Sequence, residues 1–207
     1  MQALLADLFM PDQQITTDML VFAYSTGLFP MAAERPGAVH WYSPDPRAFL
    51  PLDQFKVSRS LRRRASSGIF DITCDRAFEH VIRACAQPRP GHPHTWINDQ
   101  IIDAYTQLHA VDLAHSIEAW NDAGQLVGGL YGVSLSGAFF GESMFSHATD
   151  ASKVCLVHLV SHLNERGYTL LDVQFQSDHM AQFGTIEIPR DEYMQRLQEA
   201  LRQKVRW

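Results

Sequence analysis

The segment from residue 114 to residue 146 constrains the fold more than any other part of this sequence. It contains the extended stretches H-S-I-E-A-W and Q-L-V-G-G-L-Y-G-V, followed by S-L-S-G-A-F-F-G-E-S-M-F. N-D-A-G at 121–124 joins the first two, and its Asn, Asp and Gly residues suit a hairpin turn. Strands joined by so short a turn pair antiparallel. An antiparallel meander is therefore predicted at the centre of the fold.

Helices are predicted on both sides of this meander. Apolar residues recur at helical spacing in 75–86, 99–113 and 152–166, and a strand at 168–175 precedes a last helix at 190–205. Helices, then a meander, then helix, strand and helix describe an α+β (mixed α/β) fold, in which helices cover a largely antiparallel sheet.

The N-terminal quarter of the chain has a different character. A short helix is predicted at 15–29, and the proline-rich stretch 31–51 predicts short strands and turns. We therefore predict a small N-terminal domain at 1–55 and a larger domain at 56–207. Residues 1–14 lack a basic flank and are interrupted by Asp7 and Pro11, so we expect no signal peptide or spanning helix, and a cytoplasmic protein.

The charge is unevenly distributed. The net charge is −6, yet five of the 17 basic residues fall within K-V-S-R-S-L-R-R-R at 56–64. A clustered basic helix is either a solvated surface or a phosphate-binding face, and the sequence leaves both open. The residues concerned are Lys56, Arg59, Arg62, Arg63 and Arg64.

Candidate catalytic groups lie on the predicted strand L-D-V-Q-F-Q at 171–176. Alternation places Asp172, Gln174 and Gln176 on one face, which either meets water or serves a site. Glu142 follows the apolar run G-A-F-F-G, where a carboxylate is costly without a partner.

Several other chemistries are not signalled. G-G-L-Y-G at 128–132 lacks the spacing of a phosphate-binding loop, so its glycines mark a bulge or the close approach of a ligand. His158 and His162 are four residues apart, but H-L-V-S-H lacks the Glu of a zinc protease motif, and we predict no metal. The three widely spaced cysteines favour reduced thiols over disulfides or zinc.

Ten short motifs, taken in order, resemble the leucyl/phenylalanyl-tRNA–protein transferase family. They are G-L-F-P at 27–30, W-Y-S-P-D-P-R at 41–47, S-R-S at 58–60, T-W-I at 95–97, A-H-S-I-E at 114–118, L-V-G-G-L-Y-G at 126–132, G-E-S-M-F-S at 141–146, A-S-K at 151–153, L-D-V-Q at 171–174 and E-I-P-R at 187–190. Any one motif is weak, but ten in the same order are specific.

The resemblance implies a larger domain similar to the GNAT acetyltransferase fold. It also implies transfer of Leu, and also Phe or Met, from aminoacyl-tRNA to proteins that begin with Arg or Lys, which marks them for N-degron proteolysis. An aminoacyl ester is already activated, so no ATP, metal or organic cofactor is expected. The attacking α-amino group, with a pKa near 8 (roughly), must lose a proton.

The resemblance also assigns residues. Asp172 polarises Gln174, whose carbonyl accepts from the attacking amine, although the vicinal ribose hydroxyl of the donor is an alternative route for the proton. The remaining assignments are Trp41, Tyr42 and Trp96 to the terminal adenosine, Leu130, Phe139 and Phe140 to the donor side chain, Glu142 and Ser177 to the acceptor, and the basic run to tRNA phosphates.

Two other functions remain as alternatives. An acetyl-CoA-dependent N-acetyltransferase predicts a Q/R-x-x-G-x-G/A pyrophosphate loop, which we do not find in the sequence. A non-catalytic tRNA-binding module explains the basic run and the aromatic residues, but not a polar face that carries Asp172 and Gln174.

Overall fold

The computed structural model describes residues 14–33, 37–88 and 95–207, and the predictions for residues 1–13 lie outside these ranges. Its helices and strands follow in chain order: α1 (Thr17–Ser25), β1 (Phe29–Ala32), β2 (Val39–Tyr42), β3 (Arg47–Leu50), α2 (Arg59–Ala65), β4 (Asp71–Cys74), α3 (Phe78–Cys85), α4 (Asp99–Ala110), β5 (Ala114–Trp120), β6 (Leu126–Leu135), β7 (Ala138–Ser146), α5 (Ala151–Arg166), β8 (Leu170–Gln174), α6 (Asp178–Ala181), β9 (Ile186–Ile188) and α7 (Arg190–Leu201).

A seven-stranded sheet carries the fold, in the order β4-β5-β6-β7-β8-β3-β9. Every neighbouring pair is antiparallel except β7 and β8, which are parallel and are connected through α5. The predicted meander is β5-β6-β7, and its first turn is closed by the bond from the Gly124 N–H to the Asn121 carbonyl. The mixed α/β class with a largely antiparallel sheet is confirmed.

The N-terminal region is divided between two sheets. Strands β1 and β2 form a separate antiparallel hairpin, whereas β3 pairs with β8 and β9 inside the large sheet. Helix α1 ends earlier than predicted because Phe29 begins β1. The division at residue 55 stays a prediction, and the position of β3 favours a boundary before residue 47.

The core has one cluster of apolar side chains on each face of the sheet. One lies among α1, α3, α4 and α7, and the other lies under α5 and α2. Because neighbouring strand residues point to opposite faces, Phe140 belongs to the first cluster and Phe139 to the second. The two phenylalanines therefore belong to opposite faces of the sheet.

The glycines of β6 are placed where a neighbour comes close. A methyl group at Gly128 would lie 2.4 Å from the Ala151 Cβ at the start of α5, and one at Gly132 would lie 2.3 Å from the Phe140 backbone oxygen. The β6–β7 register also shifts between Tyr131 and Gly132. A bulge, which is one of the two predicted roles, and close packing against other protein atoms account for these residues.

We predict that Gly132→Ala destabilises the protein by about 1–3 kcal/mol, because the added methyl overpacks the backbone of β7. Its register partner Gly141 is the matched control, since a methyl there would meet its nearest atom at 3.5 Å. Urea unfolding of both variants measures the difference. Equal stability of the two variants would contradict this account.

Candidate active site

The site lies where β7 and β8 separate. Their pairing runs from Ala138 opposite Leu170 to Phe140 opposite Asp172 and extends no further in the register. Glu142 and Gln174 each lie two residues beyond the last pair, on strands that are no longer joined directly. The gap between the strands therefore carries a carboxylate from one side and an amide from the other.

Asp172 is anchored by a buried ion pair with Arg47. The guanidinium makes two bonds to the carboxylate, from Nε at 3.0 Å and from a terminal nitrogen at 2.6 Å, and the Tyr193 hydroxyl donates to the same carboxylate at 2.7 Å. Arg47 and Asp172 are 1% and 0% exposed. A buried charge pair is tolerated when geometry is bidentate and the other polar atoms are satisfied, and both conditions hold here.

The Asp172 carboxylate also fixes the backbone of Gln174. One carboxylate oxygen accepts from the Gln174 backbone N–H at 2.9 Å, and Gln174 adopts a left-handed backbone conformation with φ of 60°. A register shift on the β3–β8 pair lies beside this residue. The bulge turns the Gln174 side chain toward Glu142, to which its amide donates at 3.2 Å.

This arrangement differs from the predicted relay in one respect. Asp172 acts on the backbone of Gln174, and the side-chain amide of Gln174 is bound by Glu142 instead. Asp172 and Gln174 are closed from water, at 0% and 7% exposed, because α7 and the N-terminal region cover them, whereas Gln176 on the same predicted face is exposed. On the apolar face Leu171 is buried in the core, and only Phe175, at 47%, is exposed.

Glu142 is held by hydroxyl groups. Tyr24 donates to one carboxylate oxygen at 2.7 Å, the Tyr105 hydroxyl lies 3.3 Å from the other, and the two hydroxyls are bonded to each other. Burial raises the pKa of Glu142 to about 8, although the tyrosine hydroxyls and Arg47 oppose this shift. Two tyrosine hydroxyls are therefore the partners that the structure gives this carboxylate, and the cationic acceptor predicted for it stays a prediction.

Two cavities flank the Glu142–Gln174 pair. The apolar cavity has a volume of about 220 Å³ and lies under α5, and the aromatic cavity has a volume of about 140 Å³ and lies beside β1. Glu142, Val173 and Gln174 line both of them. The apolar cavity is also lined by Leu130, Met144, Leu156, Leu159, Leu171, Ser177 and Met180, and the aromatic cavity by Phe29, Met31, Trp96 and Phe175.

The residues assigned to the donor side chain divide between cavity and core. Leu130 lines the apolar cavity, whereas Phe139 and Phe140 are fully buried and line neither cavity. Phe139 stacks on Trp207, and Phe140 packs on Tyr24. The two phenylalanines thus serve the two faces of the core, and the donor pocket we propose below excludes them.

The residues assigned to the adenosine are also divided. Trp96 lines the aromatic cavity, and its carbonyl holds the Ala32 N–H of β1 at 3.0 Å. Trp41 and Tyr42 lie on β2 outside both cavities, with Trp41 packed against the core and Tyr42 39% exposed.

Among the residues assigned to the acceptor and to tRNA phosphates, Ser177 and Arg64 already have partners within the protein. Ser177 lines the apolar cavity, and its hydroxyl caps α6 by accepting from the Met180 N–H. Arg59, Arg62 and Arg63 are exposed on α2, which packs on α5, and Lys56 is exposed just before it. Arg64 differs, because it forms an ion pair with Asp150 at 3.3 Å.

Sequence reasoning missed four residues that build the site: Tyr24, Arg47, Tyr105 and Tyr193. Arg47 closes the motif W-Y-S-P-D-P-R, and a strand aspartate facing a core requires a cation, so this partner was open to inference. The tyrosines read as ordinary helical core positions, and nothing in their spacing points to Glu142.

The described ranges contain neither a metal-binding cluster nor a membrane-spanning helix. No group of three or more His, Cys, Asp or Glu residues is arranged to hold a metal ion there. None of the helices in those ranges is long and apolar enough to cross a membrane.

A carboxylate and an amide lie between one apolar and one aromatic cavity, so the site has room for a substrate with two unlike apolar ends. The chain belongs to the leucyl/phenylalanyl-tRNA protein transferase family, whose model matches residues 49–198, and the model of the family's N-terminal domain matches residues 13–45. The family resemblance is confirmed, and with it the class of aminoacyltransferases.

Curated relatives with this family name cover nearly the whole chain. The transferase of Rubrobacter xylanophilus is 54% identical over 91% of this chain and 96% of its own length. That of Paramagnetospirillum magneticum is 53% identical over 90% of each chain, and that of Salinibacter ruber is 50% identical over 93% of this chain and 82% of its own.

Solved structures show a weaker likeness. L-PGS from Bacillus licheniformis is 14% identical with a TM-score of 0.44, covering 81% of this chain and 56% of its own. A GCN5-related glucosamine N-acetyltransferase region of a fungal multi-domain protein is 12% identical with a TM-score of 0.47, covering 82% of this chain and 21% of its own. Since both scores lie below 0.5, the GNAT-like label stays a prediction.

We predict that Asp172→Asn lowers the free energy of unfolding by about 3–5 kcal/mol, because it leaves the Arg47 guanidinium buried without a counter-charge. The double variant Arg47→Met with Asp172→Asn removes both charges and is expected to recover part of that loss. Urea unfolding of the wild type, of Asp172→Asn, of Arg47→Met and of the double variant gives the coupling energy. An Asp172→Asn protein as stable as the wild type would contradict this account.

We also predict that Glu142→Gln stabilises the protein increasingly as the pH rises. The pKa of Glu142 is raised to about 8 in the folded protein, so ionising it opposes folding. That penalty is absent at acid pH, where the carboxyl is protonated in both states. It grows above the ordinary carboxyl pKa and is complete above about pH 8.

Urea unfolding of the wild type and of Glu142→Gln at pH 5 and pH 9 tests this prediction. We expect the variant to gain on the order of a few kcal/mol relative to the wild type between the two pH values. Glu79→Gln, which changes an exposed carboxylate paired with Arg83, is the control and should show little pH-dependent gain. A constant difference for Glu142→Gln would overturn the assignment.

Proposed function

We propose that this chain transfers a leucyl or phenylalanyl group, and also methionyl, from aminoacyl-tRNA to the α-amino group of proteins that begin with Arg or Lys. The reaction takes place in the cytoplasm and marks its products for N-degron proteolysis. The observation that carries the proposal is the pair of cavities that share Glu142, Val173 and Gln174.

The two cavities match the two ends of an aminoacyl-adenosine. Aliphatic side chains from β6, β8 and α5 suit the apolar side chain of the donor amino acid, and Trp96 with Phe29 suits the adenine ring. The ester that joins these two ends then lies over Val173 and Gln174. This position brings the reactive carbonyl carbon to the carboxylate–amide pair.

The chemistry requires positioning and the movement of one proton. The neutral amine nitrogen bonds to the ester carbonyl carbon, the bond to the ribose oxygen breaks, and that oxygen leaves with the proton released by the amine. The Gln174 amide nitrogen is engaged by Glu142, so its carbonyl oxygen is the end available to accept from the attacking amine. Orientation of this kind supplies a large part of the rate in such transfers.

Glu142 is proposed to recognise the cationic acceptor. Burial raises its pKa to about 8, which favours the protonated carboxyl at neutral pH. An incoming Arg or Lys end replaces that proton with a permanent positive charge, which lowers the cost of ionising the carboxylate. An acceptor that begins with a neutral residue gains nothing comparable, and Ser177 lines the same cavity as a further polar contact.

The body of the tRNA is proposed to lie along α2. The exposed arginines of α2 and the neighbouring Lys56 are available to bind phosphates. Arg64, in contrast, is paired with Asp150. Such contacts fix orientation and add affinity, and they do not read the base sequence.

The proposal is tested by incubating the purified protein with radiolabelled leucyl-tRNA and a model protein that begins with Arg. A version beginning with Ala and a reaction given labelled acetyl-CoA are the controls. We expect label in the Arg-initiated protein only. Label from acetyl-CoA would establish an acetyltransferase instead, and tRNA binding without transfer would establish a binding module.

We predict that Arg62→Gln with Arg63→Gln weakens binding of leucyl-tRNA several-fold at low salt. Each lost phosphate contact should lower the slope of log Kd against log salt concentration by about one. Arg202→Gln removes another exposed arginine, outside α2, and is the matched control. Filter binding at several salt concentrations measures both, and an unchanged slope in the double variant would argue against this face.

A further inference from the structure

Two aromatic rings beside the aromatic cavity are exposed without serving the core. Phe175 is 47% exposed and Tyr42 is 39% exposed, whereas Phe29, which contacts both rings, is 3% exposed. We call Phe29, Tyr42 and Phe175 the aromatic ledge. Burying an aromatic ring away from water is favourable, and these two rings are not buried by the protein. A ligand that covers them would therefore gain binding free energy.

The ledge is organised around Phe29. The Tyr42 ring stacks on Phe29 with centroids 6.1 Å apart and planes at 28°, and the Phe175 ring meets Phe29 edge-on at 5.6 Å. The Arg47 guanidinium lies 4.7 Å from the Phe29 centroid and secures that ring. Both exposed rings are therefore supported by one fixed ring, which in turn rests on the Arg47–Asp172 pair.

The ledge is continuous with the aromatic cavity. Phe29 and Phe175 line that cavity, while Tyr42 extends the aromatic surface beyond it. A nucleotide chain whose last base occupies the cavity must leave through the open side, where the exposed rings lie. Single-stranded nucleic acids stack successive bases on aromatic side chains in this way.

We propose that the aromatic ledge binds the base of the nucleotide that precedes the terminal adenosine of the donor tRNA. This inference rests on the proposed function. Tyr42, assigned from sequence to the adenosine, is given to the preceding nucleotide instead, and Phe175 serves both bases. The acceptor is a less suitable occupant, because its cationic end requires a carboxylate and the three ledge residues offer none.

The test compares two stable donor analogues as competitive inhibitors of transfer from leucyl-tRNA. One is 3′-leucylamino-3′-deoxyadenosine, and the other carries the same group on the dinucleotide CpA. They share the terminal adenosine, so the ratio of their inhibition constants reports the preceding nucleotide alone. We expect the dinucleotide to bind the wild type about tenfold more tightly.

Substitutions on the ledge should change that ratio. Tyr42→Leu and Phe175→Leu keep apolar bulk without a ring face, and each should bring the ratio close to one. Tyr42→Phe keeps the ring and should preserve the ratio. Val111→Ala, at a residue 54% exposed and outside the ledge, is the control.

Two outcomes would overturn the proposal. One is a ratio near one in the wild type. The other is a Tyr42→Leu variant that keeps the wild-type ratio but binds the acceptor protein less tightly, since that would give the ledge to the acceptor. Calorimetric binding of both analogues reads the ratio without turnover, so a protein that fails to transfer leucine would refute the proposed function separately.

Discussion

The buried ion pair between Arg47 and Asp172 joins parts of the chain that are far apart in sequence. Arg47 stands on β3, Asp172 on β8, and the same network reaches Tyr193 on α7 and the Gly27 carbonyl that follows α1. Two charges that are almost fully excluded from water must stay together, because separating them would leave each one unsolvated. The ion pair thereby fixes the N-terminal region against the large sheet and holds Asp172 in place beside Gln174.

The separation of β7 and β8 opens the candidate site next to this ion pair. Paired strands leave no room between them, so a cleft at the middle of a sheet requires that pairing stop, and here it stops at Phe140 and Asp172. The bulge at Gln174 and the tyrosines around Glu142 satisfy the polar groups exposed by that opening. Burial in turn raises the pKa of Glu142 toward neutrality, which suits a carboxylate whose proposed partner is a cation.

Much of the architecture could be predicted from local pattern. The meander follows from short turns, the long helix α5 from its apolar spacing and from Gly167, whose left-handed conformation ends it. Glu142 and Gln174 were found as polar groups in apolar surroundings. The sequence does not show that Phe139 and Phe140 lie in the core and outside the pocket. Alternation predicts that they face opposite sides of the sheet, but it does not predict which side carries a cavity.

The sequence by itself determined the family, the mixed α/β class, the order of the elements and the polar residues Glu142, Asp172 and Gln174 of the candidate site, since each depends on residues close together in the chain. Tertiary structure alone decided which residues hold them. Tyr24 and Tyr105 reach Glu142 from helices 118 and 37 residues away along the chain, and Arg47 meets Asp172 across 125 residues. Contacts over such distances depend on how the helices close over both faces of the sheet, and no local pattern encodes that closure.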